Sequence, residues 1–212
     1  VYPVQEAGLA AGKLTRWLVE VDNKRNISVN NGLNILLKIY DLYDGVQSYF
    51  NAYYSCAKGC CYCCYPYVGA SLIESELTKK FINDNFSSSA KDQLAASIRR
   101  HKKEYLSLCE MDGKVAKRLQ AEYYEMKIPC PFLSKMGECM IYIARPFACR
   151  ALTAYSDPKE CKYDRVKEHF IPFGVNGHVV GAVLKLSRKV FGTLATVKHF
   201  PAWFIDGFTP GV

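Results

Sequence analysis

The sequence predicts a mainly α protein, a single helical domain over residues 1–212. In several long segments, apolar residues recur at the three- and four-residue spacing of an amphipathic helix. No segment shows the sustained alternation that is typical of a half-buried strand. Half of the 212 residues are apolar, so the chain can bury a core without help from disulfides.

The first two helices are predicted before the first cysteine-rich loop. Leu14, Leu18 and Val21 share one face of a helix over residues 8–22. Asparagine and glycine residues then supply turn chemistry. A long amphipathic helix over residues 32–54 should deliver the chain into the first cysteine-rich loop.

Two more helices are predicted in the middle of the chain. Ser71 and Glu74 have the spacing of a capping box, in which the two side chains satisfy backbone N–H groups at a helix start. A short helix over residues 72–83 should follow it. After a polar loop, apolar positions predict a second, longer helix over residues 89–124.

The second half of the chain combines a loop region, one helix and an aromatic tail. Residues 128–156 contain three prolines and little periodicity, so we expect short turns with one helical turn at residues 140–144. Periodic apolar residues predict a helix over residues 176–198. The tail that follows is rich in aromatic residues and should pack irregularly over the core.

Cysteines dominate the first loop, where five of them fall within the nine residues CAKGCCYCC. They are Cys56, Cys60, Cys61, Cys63 and Cys64. Thiolates are soft, charged metal ligands, and short spacers allow several of them to reach one ion. Buried free cysteines are the alternative, but five in one loop make it a poor explanation. Adjacent cysteines usually point apart, so Cys63 and Cys64 should face different surroundings.

Further cysteines recur downstream as Cys130, Cys139, Cys149 and Cys161. Adjacent cysteines disfavour disulfides because their Cα atoms are too close for an unstrained bridge. The N-terminal residues also lack the basic region and uninterrupted apolar stretch of a secretory signal. We therefore expect the protein in the cytoplasm or another reducing compartment. We also expect a helical fold in which the cysteine-rich loops wrap around one or two metal centres.

The downstream cysteines lie in recognisable segments: CPFL at Cys130, CMIY at Cys139 and RPFACR around Cys149. In this order after clustered cysteines, over residues 56–150, they resemble the CxxCxxCC cysteine-cluster family, also called YkgJ-like, of zinc- or iron-chelating proteins. The resemblance implies a metal-binding set of Cys56, Cys60, Cys63, Cys64, Cys130, Cys139 and Cys149. Cys161 is a plausible eighth ligand.

The chain departs from the family pattern in two places. The spacer between Cys56 and Cys60 is one residue longer, and Cys61 stands where the family commonly has a small residue. Related cysteine patterns occur in flagellin lysine methylases, which favours iron, as a [4Fe-4S] cluster, over zinc. Spacing alone does not separate the two, because both accept four thiolates.

Two arginines flank Cys149 and are the candidate cofactor-binding residues. Arg145 and Arg150 could hydrogen-bond ligating thiolates or a bound anion. The alternative is ordinary salt bridges to Asp or Glu. The histidines show no paired spacing, so each is expected in the core or on the surface rather than as a ligand: His101, His169, His178 and His199.

Three functions are compatible with a cysteine-ligated metal. One is a redox or accessory role of an iron–sulfur centre, and another is a structural zinc module that organises a protein–protein interaction surface. The third is a radical enzyme, because Cys56, Cys60 and Cys63 have the spacing typical of S-adenosylmethionine-dependent iron–sulfur enzymes. That class places the motif in a barrel of alternating strands and helices, whereas a helix is predicted before it here.

The net charge and the absence of several nucleotide-binding and hydrolase motifs restrict the classes of partner that are expected. The formal net charge is +8, which favours acidic partners, but ligating thiolates would offset much of it. We therefore expect a protein partner rather than nucleic acid. No stretch of eighteen residues is apolar and free of charge, so no transmembrane segment is expected. The chain has no P-loop, dinucleotide-binding or nucleophile-elbow motif.

Overall fold

The structure is a computed structural model that describes residues 4–56, 59–109, 123–154, 174–192 and 197–209, with the backbone alone for residues 105–109. The described residues are mainly helical, which confirms the predicted mainly α class; that the cysteine-rich loops wrap around metal centres stays a prediction. Within them, no helix has both the length and the apolar character needed to cross a membrane.

Six α-helices and two short strands are described. The helices are α1 (Val4–Asp22), α2 (Val29–Ser48), α3 (Leu72–Asn85), α4 (Ser88–Cys109), α5 (Phe147–Ala151) and α6 (Val175–Phe191). The strands β1 (Gly69–Ser71) and β2 (Val197–His199) pair into a two-stranded sheet. Short 3-10 helices lie at Asn51–Tyr53, Tyr62–Cys64, Tyr142–Ala144 and Phe200–Phe204.

The glutamate half of the predicted capping box is present at the start of α3. The backbone N–H and the hydroxyl of Ser71 donate to one oxygen of the Glu74 carboxylate, at 2.8 and 2.6 Å. The hydroxyl of Tyr40 donates to the other oxygen at 3.0 Å. Glu74 is only 5% exposed, so these hydrogen bonds compensate for the burial of its carboxylate.

Some predicted helix ends were wrong. The helix predicted over residues 176–198 ends at Phe191, because Gly192 adopts a positive φ of 63° that ends the helix, and residues 197–199 form β2. The helix predicted to residue 54 ends at Ser48. The backbone N–H of Phe50 bonds three residues back to Gln47, which tightens the chain into a 3-10 turn. The continuation predicted over residues 110–122 lies outside the described residues.

The chain divides into two compact units. Unit 1 comprises Val1–Cys56, Ser71–Glu74 and Arg150–Thr196, and unit 2 comprises Ala57–Ala70, Ser75–Cys149 and Val197–Val212. The boundary therefore falls inside α3. That the chain forms one domain over residues 1–212 stays a prediction.

Helices α1, α2 and α6 pack against one another in unit 1. Their buried faces are apolar, with fully buried Leu14, Leu36 and Val179 on the three helices in turn. Gly32 marks a close approach, since a Cβ atom there would lie 2.6 Å from a side-chain methyl of Val190. Glycine is therefore required at this position for the packing of α2.

Aromatic residues of the C-terminal tail form much of the core of unit 2. Phe200, Phe204 and Phe208 are buried with Phe132 and with apolar residues of α3 and α4. The predicted packing of the tail over the core is therefore confirmed. Cys130 and Cys139 pack against the same cluster, so the loops that carry these thiols rest on an ordered apolar base.

Candidate metal centre

The first and second cysteine segments meet through the backbone in unit 2. Cys63 and Cys64 lie in the 3-10 helix Tyr62–Cys64. The carbonyl oxygen of Cys64 accepts a hydrogen bond from the N–H of Cys130 at 2.7 Å. A tight turn follows, in which the N–H of Leu133 donates to the carbonyl of Cys130 at 2.9 Å. Loops far apart in the sequence are thus tied together beside their thiols.

A short hairpin places Cys139. Leu133 and Cys139 form an isolated antiparallel bridge, and the N–H of Ser134 donates to the carbonyl of Glu138 at 2.8 Å. Gly137 closes the turn with a φ of 77°, a conformation that glycine adopts without strain. The hairpin holds Cys139 next to the loop that begins at Cys130.

Cys149 lies in the short helix α5, where its N–H donates to the carbonyl of Pro146 at 3.0 Å. The preceding Arg145 sits over the ring of Tyr142 at 3.9 Å. Arg145 and Cys149 therefore belong to one compact turn, and both belong to unit 2.

Four thiols of unit 2 interact electrostatically with one another in every pairing. We call them the thiol quartet: Cys63, Cys130, Cys139 and Cys149. Cys64 interacts with three of them, Cys63, Cys130 and Cys139. The structure thus brings together one pair of residues from the first loop and all three described cysteines of the second.

The adjacent thiols Cys63 and Cys64 have opposite pKa shifts. A hydrogen bond from Cys64, together with the positive charge of Arg145, lowers the pKa of Cys63 to about 7 from its ordinary value of 9.0. The same hydrogen bond and burial raise the pKa of Cys64. Cys63 is therefore the thiol of this pair that most readily becomes a thiolate, the form that binds metals.

Burial raises the pKa of the other three quartet thiols. It raises the pKa of Cys130 to about 12, and it raises the pKa values of Cys139 and Cys149 as well. Backbone hydrogen bonds at Phe132 and Ile141 oppose the rise at Cys130 and Cys139, because donors to sulfur favour the thiolate. These donors are oriented for anionic sulfur atoms.

The two arginines have different surroundings. The charge of Arg145 lowers the pKa values of Cys63, Cys139 and Cys149, so its guanidinium lies within electrostatic range of these thiols. Arg150 instead donates to Asp44 at 2.6 Å and lies over the ring of Tyr40 at 4.2 Å. For Arg150 the structure provides the salt bridge that was the alternative to a cofactor contact.

The remaining predicted ligands are outside the quartet. Cys56 is exposed in unit 1, and its sulfur accepts a hydrogen bond from the N–H of Ala154 at 3.2 Å. Cys60 and Cys61 are half-buried in unit 2. Cys161 and His169 lie outside the described residues. That the predicted cysteines bind metal stays a prediction for the whole set, Cys56, Cys60, Cys64 and Cys161 as well as the quartet; no metal role was predicted for Cys61.

Over the described parts of the chain, no three Cys, His, Asp or Glu side chains are placed to hold one metal ion. None of the eight cysteines whose side chains are described forms a disulfide. The quartet is therefore a set of unbridged thiols that lie within electrostatic range of one another.

A contact between two buried histidines of unit 2 was not predicted from the sequence. His101 and His199 are 98 residues apart in the chain, yet their Nε2 atoms lie 3.1 Å apart. No local spacing could have indicated this pair, because one residue is on α4 and the other on β2.

Comparison with known proteins adds no relative. No family model matches the chain, and no curated protein or solved structure matches it either.

Proposed function

We propose that this protein binds iron, as an iron–sulfur cluster held by the thiol quartet, and that the centre serves a redox or electron-transfer role. The observation that carries the proposal is that the fold ties the two cysteine segments together through the Cys130–Cys64 backbone hydrogen bond of 2.7 Å and brings the four quartet thiols within electrostatic range of one another. Four thiolates are the usual ligand set of such clusters.

The chemistry of the quartet suits a bound cation. Buried thiols resist ionisation on their own, and a cation at their centre would compensate for the charge of the thiolates. The backbone hydrogen bonds at Phe132 and Ile141 and the charge of Arg145 act in the same direction. Hydrogen bonds and charges near ligating sulfur atoms also tune the reduction potential of a cluster.

The cysteine pattern, rather than the geometry, favours iron over zinc. Four thiolates fit either a zinc ion or an iron–sulfur cluster. Related cysteine patterns occur in flagellin lysine methylases, which favours the cluster.

The centre would give the protein a one-electron redox site, while the chain's own residues position and tune it. Arg145 would hold the ligand loop against Tyr142 and partly neutralise the thiolates. The resemblance to the YkgJ-like family supports the same set and adds Cys56, Cys60 and Cys64 as candidate ligands, and Cys161 is a further candidate outside the family set. The absence of disulfides among the described cysteines supports a reducing compartment.

A protein partner remains part of the proposal. The loop that carries Cys139 exposes large apolar side chains, since Met136, Tyr142 and Ile143 are 82, 60 and 68% exposed. Exposed apolar side chains beside a redox centre favour the docking of another protein. We do not extend the proposal to a radical enzyme, because the described residues include two three-residue strands rather than a barrel of strands and helices.

Anaerobic purification followed by elemental analysis tests the proposal. The protein should be brown and contain iron with acid-labile sulfide. A colourless protein with stoichiometric zinc would instead establish the structural zinc module. Protein that binds neither metal after reconstitution with iron and sulfide would refute both functions.

A further inference from the structure

Two buried histidines meet in unit 2, where one of them contacts the residue before Cys130. His101 on α4 is 4% exposed and His199 on β2 is 3% exposed. Their Nε2 atoms lie 3.1 Å apart, within hydrogen-bonding distance. Nothing in the proposed redox function uses these two residues.

The two imidazole rings meet head to head. They are nearly parallel, at 17°, and their centroids are 5.4 Å apart. With the Nε2 atoms only 3.1 Å apart, such a long separation of the centroids requires the two Nε2 atoms to lie between the rings. This is the arrangement of an N–H···N hydrogen bond with one proton between the rings. Two histidines that bind one metal ion would instead meet at an angle.

A third contact determines the tautomer of neutral His101. The Nδ1 atom of His101 lies 3.2 Å from the carbonyl oxygen of Pro129, and a carbonyl can only accept, so Nδ1 carries a proton. The Nε2 atom of neutral His101 is therefore an acceptor, with the Nε2 atom of His199 and the hydroxyl of Tyr123 each 3.1 Å away. The backbone of Val68 accepts a further hydrogen bond from His199.

The pair therefore connects β2, α4 and the turn at Pro129 in unit 2. His199 lies on β2 and His101 lies on α4. Pro129 immediately precedes Cys130, whose N–H donates to the carbonyl of Cys64 at 2.7 Å. A change at the histidine pair can thus reach the backbone that joins the two cysteine loops.

Tyrosines surround the pair. The ring of Tyr67 stacks on His199 with centroids 4.5 Å apart, and the ring of Tyr123 meets both histidines edge to face. These neighbours bring phenol groups, rather than carboxylates, to the imidazoles. Burial favours the neutral form of both rings, and the backbone hydrogen bonds to Pro129 and Val68 oppose it.

Burial lowers the pKa of His101. Burial and the charge of His101 lower the pKa of His199 to about 3 from its ordinary 6.5. In the unfolded chain both histidines take up a proton near the ordinary value, whereas the folded pair resists it. The neutral pair therefore stabilises the fold above pH 6.5, and this contribution is lost as the pH falls from there toward the folded pKa values.

We propose that the His101–His199 pair is an acid-sensitive latch that holds the Pro129–Cys130 turn in place. When acid protonates both rings, each Nε2 atom carries a hydrogen and the two N–H groups face each other across 3.1 Å. The hydrogen bond between the rings becomes a repulsive contact, and the turn before Cys130 loses its support. The latch itself does not depend on metal; only its consequence, loss of the centre in acid, rests on the proposed function.

Hydrogen exchange in the full-length protein tests the latch directly. We expect protection of the Cys130 N–H to fall below about pH 6.5, the ordinary histidine range. The N–H of Met140, bonded to the carbonyl of Phe132 at 2.9 Å, is the internal reference and should lose protection at lower pH. If both amides lose protection from exchange at the same pH, the latch proposal is overturned.

The matched variant replaces both imidazoles by amides that donate but do not titrate: His101→Asn together with His199→Gln. The new side-chain amide at position 101 can still donate toward the Pro129 carbonyl. The acid transition of Cys130 should move down by at least about one pH unit in this variant. An unchanged transition would contradict the proposal.

If the double variant fails to fold, a second measurement on the wild-type protein still tests the latch. Nitrogen-15 NMR of the wild-type imidazoles should find His101 protonated at Nδ1 and one proton between the two Nε2 atoms near neutral pH. Absence of that shared proton, or protonation of both rings while the Cys130 amide stays protected, would overturn the latch. Iron content followed in parallel separates the two proposals: if no metal ever binds but the amide transition persists, the latch stands and the redox function fails.

Discussion

The N–H of Cys130 donates to the carbonyl oxygen of Cys64 at 2.7 Å, and this hydrogen bond joins the two cysteine segments of unit 2. It involves the backbone alone, so it does not require a metal. Together with the packing of Cys130 and Cys139 on the aromatic core, it pre-forms part of the candidate centre. Pre-formed ligand loops bind metal with less ordering cost than loops that fold around it.

The quartet predicts which cysteines hold the metal. Cys139→Ser and Cys149→Ser should each lower bound iron at least about tenfold, because serine is a hard and weakly acidic replacement for a thiolate. Cys61→Ser, in the same loop as Cys63 but outside the quartet, is the matched control and should keep its iron. Elemental analysis of the purified variants measures this, and equal losses in all three would refute the assignment.

Arg145 is predicted to tune the centre through its charge. Arg145→Gln should weaken iron retention about tenfold, as expected for a residue that supports metal ligands without binding metal. Lys135→Gln removes the same charge from an exposed position on the neighbouring hairpin and should have little effect. The readout is iron retained during a chelator challenge at fixed pH. Similar retention in the two variants would exclude a special role for Arg145.

The buried carboxylate at the start of α3 is predicted to stabilise unit 1. Glu74→Ala removes the acceptor for Ser71 and Tyr40, and it should lower the free energy of unfolding by about 2–4 kcal/mol. Tyr40→Phe removes one of these hydrogen bonds and should cost about 1 kcal/mol. Urea unfolding followed by circular dichroism gives both values. A loss in Glu74→Ala no larger than that in Tyr40→Phe would argue against the capping role.

The close approach at Gly32 predicts a helix substitution that destabilises. Gly32→Ala should cost about 1–3 kcal/mol, because its Cβ atom would overlap the β-branched side chain of Val190. Gly12→Ala, in α1, adds a methyl group to open space and should stabilise the protein by up to about 1 kcal/mol. Thermal unfolding compares the two. Equal changes in stability for the two variants would show that helix propensity, rather than packing against Val190, determines the effect of a substitution at Gly32.

Local signals in the sequence predicted the helices well. The spacing of Ser71 and Glu74 predicted where α3 begins, since a capping box involves residues only three apart. The strand at Val197–His199 was missed because three residues carry too little periodicity to separate strand from helix. Periodic apolar residues also ran past Gly192, whose positive φ ends α6.

The candidate site was predictable as a set of residue types but not as an arrangement. Cysteine spacing pointed to Cys63 and to the downstream cysteines, yet only the fold selects four thiols that all interact. Arg150 resembles Arg145 in the sequence, but the salt bridge to Asp44 joins residues 106 apart. The pairing of His101 with His199 is equally long-range, so no spacing rule could reveal it.

X-ray absorption at the metal edge of the anaerobically purified protein tests the central claim most directly. An iron–sulfur cluster predicts an iron edge with a shell of sulfur neighbours and a second shell of neighbouring iron, both lost in Cys149→Ser. A zinc edge with four sulfur neighbours at about 2.3 Å and no metal–metal shell would contradict the account.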